Sequence, residues 1–150
     1  MIRPYLDTGG FLVFLERDDS NSERVLEAAA EGRFLPVVSF LTFQEATHNL
    51  RVRRTKDEAS RLRYFMWTLP GLEVVTTDRL RSWRGRYEER VKDRSDLPHV
   101  QSYFAAGCDR FVTVNRRLTQ MAIREEVSFR TPRAFLEELG LPTVDSARGI

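Results

Sequence analysis

The sequence predicts an α/β domain built on a parallel sheet, and three observations carry the prediction. Short β-branched or aromatic runs alternate with longer segments of helical period, the pattern of strand–helix–strand units. A chain of 150 residues with no repeat, low-complexity tract or linker before its last ten residues fits one domain, which buries roughly 70% of its extended surface on folding. Three carboxylates far apart in the chain, Asp7, Glu45 and Asp96, each sit beside a strand-type run, and a fourth run ends in Thr113-Val114-Asn115. If these runs are neighbouring parallel strands, the side chains at their ends converge on one crevice.

The first strand spans Ile2 to Leu6 and closes at Asp7. A helix over Ser22–Glu31 follows, with Ser20, Asn21 or Ser22 available as N-cap and Val25, Leu26 and Ala29 as its apolar stripe. Phe34 to Val38 reads as the second strand, and Ser39 or Thr42 starts the helix that carries Glu45. A second helix from Lys56 to Leu69 shows Leu62, Phe65, Met66 and Leu69 on one face before the Pro70-Gly71 break.

Leu72 to Thr76 is the third strand. A helix capped by Thr77 or Asp78 is expected after it, because Leu80, Trp83, Tyr87 and Val91 form one stripe. Ser95-Asp96-Leu97-Pro98 is a helix start, and Gly107 the residue that ends that helix. Arg110 to Val114 is the fourth strand, with a helix over 116–125 behind it. Val127 to Arg130 is the last strand, and Thr131-Pro132 opens a helix that Gly140 stops. Residues 1–140 form the domain and 141–150 read as a tail, either disordered or docked on a partner.

Composition narrows the classes further. The lone Cys108 has no internal disulfide partner, and beside Ala105, Ala106 and Phe111 it reads as a small core residue. No apolar stretch approaches the roughly 20 residues of a membrane span, and an acid at position 7 interrupts any signal-peptide core, so a cytoplasmic protein is expected. The formal net charge is +2, which says little. Its distribution says more, since all basic residues but Lys56 and Lys92 are arginine. They cluster at Arg51, Arg53 and Arg54, at six positions between Arg79 and Arg94, and at Arg116 and Arg117. Planar guanidinium forks suit phosphate, although G- and C-rich codon usage produces the same enrichment.

A cluster of acids in a crevice of this kind calls for a hard cation, which points to a Mg²⁺- or Mn²⁺-dependent hydrolase. Each acid also has a structural reading: Asp7 can cap the following segment, Asp96 stands at an N-cap, and Glu45 can be a solvated helix residue. His99 falls one turn after Asp96 and reads as a hydrogen-bonded packing residue more readily than as a general acid. His48, one turn after Glu45, reads the same way. Trp67, Trp83, Tyr64, Tyr87 and Phe65 can stack on bases, but at helical spacing they are more often core or subunit interface. Asp7-Thr8-Gly9-Gly10 looks superficially like a phosphate loop and lacks the glycine spacing and lysine of one.

Taken together, Tyr5-Leu6-Asp7-Thr8, Val38-Ser39-x-x-Thr42-x-x-Glu45, Asp96-x-x-His99 with Ala105-Ala106-Gly107, Phe111 to Asn115 and Phe129 to Leu136 resemble the PIN-domain ribonucleases. The resemblance implies a three-layer α/β/α fold with sheet order 3-2-1-4-5 and a metal-dependent endoribonuclease leaving a 5′-phosphate and a 3′-hydroxyl. It implies Asp7, Glu45, Asp96 and Asn115 as the catalytic set, with Asp7, Asp96 and Glu45 on Mg²⁺ or Mn²⁺. Thr113 and Ser39 stand behind them as supporting partners, and Arg51, Arg54, Arg116 and Arg117 as RNA contacts. The small size is similar to VapC-like toxins, which implies an RNA substrate such as a tRNA, a small antitoxin and a homodimer. Asn115 departs from the family, where aspartate is common, and the lost charge allows an alternative: a non-catalytic or weakly active PIN-like module that binds RNA or protein.

Overall fold

Alternate residues of each central strand enter opposite cores, as a sheet covered on both faces requires. The structure is a computed structural model that describes residues 1–9, 11, 20–120 and 122–144. Strands β1 (Pro4–Leu6), β2 (Val37–Ser39), β3 (Glu73–Val75), β4 (Arg110–Val112) and β5 (Phe129–Arg130) form one parallel sheet in the order 3-2-1-4-5. Tyr5 pairs with Val37 on one side and Phe111 on the other, and Leu6 pairs with Val112.

Leu6, Val38 and Val112 face a core completed by helices α1 (Ser20–Ala30), α2 (Phe40–Arg53), α3 (Lys56–Trp67) and α7 (Pro132–Glu138). Tyr5, Val37 and Phe111 face the other, completed by α5 (Leu97–Ala105) and by Leu118 of α6 (Arg116–Thr119). This is the three-layer α/β/α fold that the resemblance implies. Among the described residues, no helix is long and apolar enough to cross a membrane.

Local chemistry places several boundaries as expected. Ser39 caps α2 by accepting from Thr42 N at 3.1 Å, and Thr131 caps α7 by accepting from Ala134 N at 3.1 Å. Gly107 (φ 63°) ends α5 in a Schellman motif, with Cys108 N donating to Tyr103 O and Gly107 N to Phe104 O. Gly71 has φ +68°, and a Cβ there would stand 2.6 Å from Leu35 Cδ2. Gly71→Ala is therefore expected to cost about 1–3 kcal/mol, read as a lower urea midpoint at unchanged m-value.

Other boundaries differ. The helix expected over the stripe Leu80–Val91 does not form. It is replaced by α4 (Thr77–Leu80), a 3₁₀ turn at Arg81–Trp83, and a looped segment in which Gly85 (φ 83°) and Tyr87 (φ 67°) are left-handed. Gln101 Nε2 holds the carbonyls of Trp83 and Arg86 at 2.9 and 3.1 Å, so α5 organises the loop. The stripe residues still meet, because Tyr87 stacks on Phe104 at 4.4 Å and Trp83 packs beside it.

The helix expected over 116–125 is likewise two short pieces, α6 and a 3₁₀ turn at Ala122–Glu125. Asn21 and Ser22, offered as N-caps, lie inside α1. Asn21 instead receives Val144 N at 2.8 Å and donates to Val144 O at 2.7 Å, which docks the start of the tail on the domain. Gly10 of the loop-like run and the end of the tail, 145–150, lie outside the described residues.

Arg110 grips the Glu138 carboxylate with Nε at 3.0 and 2.9 Å and Nη2 at 2.7 Å, clamping α7 to β4. These bonds, against some burial, hold the Glu138 carboxyl below its ordinary 4.5, with Arg130 helping. A depressed carboxylate stabilises the fold above its unfolded pKa and loses that contribution as pH falls through its folded one. Glu138→Gln should thus be less stable than wild type at pH 7, and the gap should close as urea melts are taken below pH 4.5.

Cys108 is half-buried, and burial pushes its thiol up to about 12, so it is a packing residue and not a nucleophile.

Candidate functional site

Sheet order sets the place of the site. The chain leaves β1 towards β2 and leaves β4 towards β5, so connections depart in opposite directions and a crevice opens beyond the carboxyl ends of the two central strands. A cleft of about 180 Å³ lies there, lined by Asp7, Thr8, Glu45, Asp96, His99 and Asn115 among others. All four residues of the expected catalytic set reach it, from the end of β1, the second turn of α2, the start of α5 and the end of β4.

Asp7 is 8% exposed, and its Oδ2 accepts from Thr113 Oγ1 at 2.5 Å. The same hydroxyl oxygen accepts from Asn115 N at 3.0 Å, so Thr113 ties the loop after β4 to the acid after β1. Asp96 stands at the N-cap of α5 but makes no side-chain cap bond, leaving its carboxylate to the cleft. There Arg117 Nη2 donates to Asp96 Oδ2 at 3.2 Å and meets Asp93 Oδ2 at 3.0 Å. Burial, the largest influence, holds the Asp96 carboxyl above its ordinary value, and Asp93 adds to it while Arg117 opposes.

Glu45 is not a solvated helix residue. Its Oε1 accepts from Thr8 Oγ1 at 2.7 Å and from His99 Nε2 at 3.1 Å. Burial raises its pKa, but the bonds from His99 and Thr8 and the charge of His99 outweigh burial and leave it below 4.5.

Asn115 Oδ1 accepts from Arg117 N at 3.0 Å and so caps α6. Among the described residues, no three His, Cys, Asp or Glu side chains are grouped so as to hold one ion. Glu45 is held towards His99 and Thr8, and Asp96 towards Arg117.

The remaining expected residues are more scattered. Ser39 is buried beneath the cleft and reaches Glu45 only through Tyr5 and His99. At 1.5 Å rise per residue, Arg51 and Arg54 lie roughly 9 and 14 Å along α2 from Glu45, and Arg54 is paired with Glu58. Arg116 is exposed one residue beyond Asn115. Asp109 receives Arg3 N at the start of β4, the opposite end of the sheet, and so is no substitute for the charge missing at Asn115. His48 is exposed and contributes nothing to the cleft. Sequence reading missed Thr8 as a partner of Glu45 and Arg117 as the partner of Asp96. The local signals were slight: a hydroxyl next to Asp7, and a basic residue two after Asn115.

No family model matches the sequence, and no curated protein sequence does. Solved structures do. A chain of the VapBC2 complex from Rickettsia felis, bound to a DNA fragment from their promoter, superposes with a TM-score of 0.64 at 14% identity, covering 87% of this chain and 98% of that one. VapC20 of Mycobacterium tuberculosis, a toxin that cleaves the sarcin-ricin loop, gives 0.55 at 13% identity, covering 72% of this chain and 86% of that one. At this identity the likeness is one of fold, and it coincides with the observed sheet order. The protein has the PIN-domain, VapC-like fold.

Proposed function

We propose that the protein is a divalent-metal-dependent endoribonuclease, the toxin of a VapBC-like toxin–antitoxin pair, acting in the cytoplasm on structured RNA such as a tRNA. One observation carries the reading: Asp7, Asp96, Glu45 and Asn115, drawn from four separate elements, line a single cleft at the switch point of the sheet. Asp7 and Asp96, each 8% exposed, face one cleft, and a cation between them offsets the cost of bringing two carboxylates together there.

The residues fit a hydrated ion. Mg²⁺ takes one or two direct carboxylates, with water and substrate oxygens completing its shell, so Asp7 and Asp96 are enough without an all-protein cage. When bound, such an ion lowers the pKa of its water and stabilises charge on the phosphodiester in an in-line displacement. Thr113 fixes the Asp7 rotamer for that task. Glu45 stays ionised at neutral pH and reaches the ion directly or through water by Oε2, since its bonds to Thr8 and His99 both fall on Oε1. Arg117, 61% exposed, neutralises Asp96 in the free protein and can turn to an RNA phosphate once a cation replaces it. Arg51, Arg54 and Arg116 extend a basic path for the RNA backbone. A small antitoxin and a second copy of the chain complete the expected assembly.

A second reading rests on Asn115 and Arg117. With the Asn115 oxygen committed to a cap and Asp96 already paired with a guanidinium, the cleft suits a PIN-like module that binds RNA or protein without cutting.

Incubating purified protein with structured RNA in Mg²⁺ or Mn²⁺, and in parallel with EDTA, separates the two. Cleavage to 5′-phosphate and 3′-hydroxyl ends only with metal is expected. RNA binding without cleavage in any metal would favour the module.

A further inference from the structure

Beneath the cleft lies a buried polar chain that runs from Tyr5 through His99, itself at the cleft wall, to Glu45. Tyr5, in the central strand β1, is 0% exposed. Its hydroxyl is 2.5 Å from His99 Nδ1, 3.0 Å from Ser39 Oγ and 3.3 Å from Thr42 Oγ1. Ser39 and Thr42 are themselves fixed, since Ser39 is the cap of α2 and accepts from Thr42 N. The Tyr5 and His99 rings also touch, with centroids 5.7 Å apart. The far nitrogen of His99, which is 6% exposed, donates to Glu45 Oε1. Thr8, one residue past Asp7, donates to that same oxygen.

Phenylalanine at position 5 and leucine at position 99 would fill this core without burying a hydroxyl and an imidazole, which cost stability unless every partner is in place. The chain connects β1, the first turn of α2 and α5 to one carboxylate. It resembles the outer partners that set the orientation of metal-binding groups.

We propose that Tyr5 and His99 are positioning residues that hold the Glu45 carboxylate at the wall of the cleft, with Oε1 occupied and Oε2 presented to a divalent ion and its waters. The role rests on the proposed metal site. It assigns His99 no proton transfer in the reaction.

Mn²⁺ binding to the full-length chain, followed by the paramagnetic resonance of the free ion, tests it. His99→Leu should weaken Mn²⁺ binding by about 10–100-fold, the usual effect of losing an outer partner. His99→Gln keeps a donor near the Nε2 position and should recover part of the loss. Tyr5→Phe, which removes only the hydroxyl, should weaken binding in the same direction and guards against a His99→Leu chain that does not fold. In a Glu45→Gln background none of these changes should weaken binding further, because their target is gone.

A merely structural histidine would lower stability yet change affinity equally in both backgrounds, and that result overturns the role. Equal affinity in wild type, His99→Leu and Tyr5→Phe overturns it as well. Wild-type protein that takes up no Mn²⁺ even with RNA present overturns the metal site and the role together, and so is distinct from either.

Discussion

Asp7→Asn should reduce metal-dependent RNA cleavage by at least a hundredfold, on the order of what removing one preorganised electrostatic group costs in other active sites. The substitution preserves shape. The amide oxygen can still accept from Thr113 Oγ1, so Thr113 continues to tie β1 to β4 and the fold should persist. What changes is charge at the point where β1 ends and the cleft begins. Initial rates against RNA at saturating Mg²⁺, with a thermal melt of the same preparation, measure both halves of the expectation. A rate within twofold of wild type would remove Asp7 from the metal site.

The largest loss of stability should come from Phe111→Ala. Phe111 sits in β4 with no exposed surface and packs on Tyr5 at 5.0 Å, Phe129 at 5.1 Å and Tyr103 at 6.1 Å between ring centroids. Deleting such a ring removes its transfer free energy and leaves a cavity, together about 3–5 kcal/mol. Against a typical net stability of about 5–15 kcal/mol, this leaves a marginal protein. Urea melts at 25 °C read the loss directly. The effect should reach the cleft too, since Phe111 pairs with Tyr5, two residues before Asp7.

The elements legible in the sequence are those whose signals are local. Runs such as Val37-Val38 and Phe111-Val112 declare strands, Ser39 and Thr131 declare caps, and Gly107 and Gly140 declare helix ends, because each acts through its immediate neighbours. Asp7, Asp96 and Glu45 were legible as a group because a parallel sheet gathers the ends of its strands at one edge.

The segment from Arg81 to Val91 was not legible. Its apolar spacing is helical, but Gln101 and Phe104 of another element hold it as a loop with Tyr87 left-handed, and tertiary contacts override periodicity there. The engagement of Glu45 by His99 joins residues 54 apart, and that of His99 by Tyr5 joins residues 94 apart. Only the assembled sheet with its covering helices brings such pairs together. Asn115 was legible as a lost charge, while its service as the cap of α6 depended on where that short helix begins.

The proposed metal site places a divalent ion between Asp7 and Asp96, beyond the ends of β1 and β4. Anomalous scattering from crystals soaked in Mn²⁺ would locate it. A peak within coordination distance of both carboxylates, absent in Asp7→Asn, is the predicted result. A cleft without a peak, with Arg117 still paired to Asp96 in crystals that hold Mn²⁺ and RNA, would contradict it.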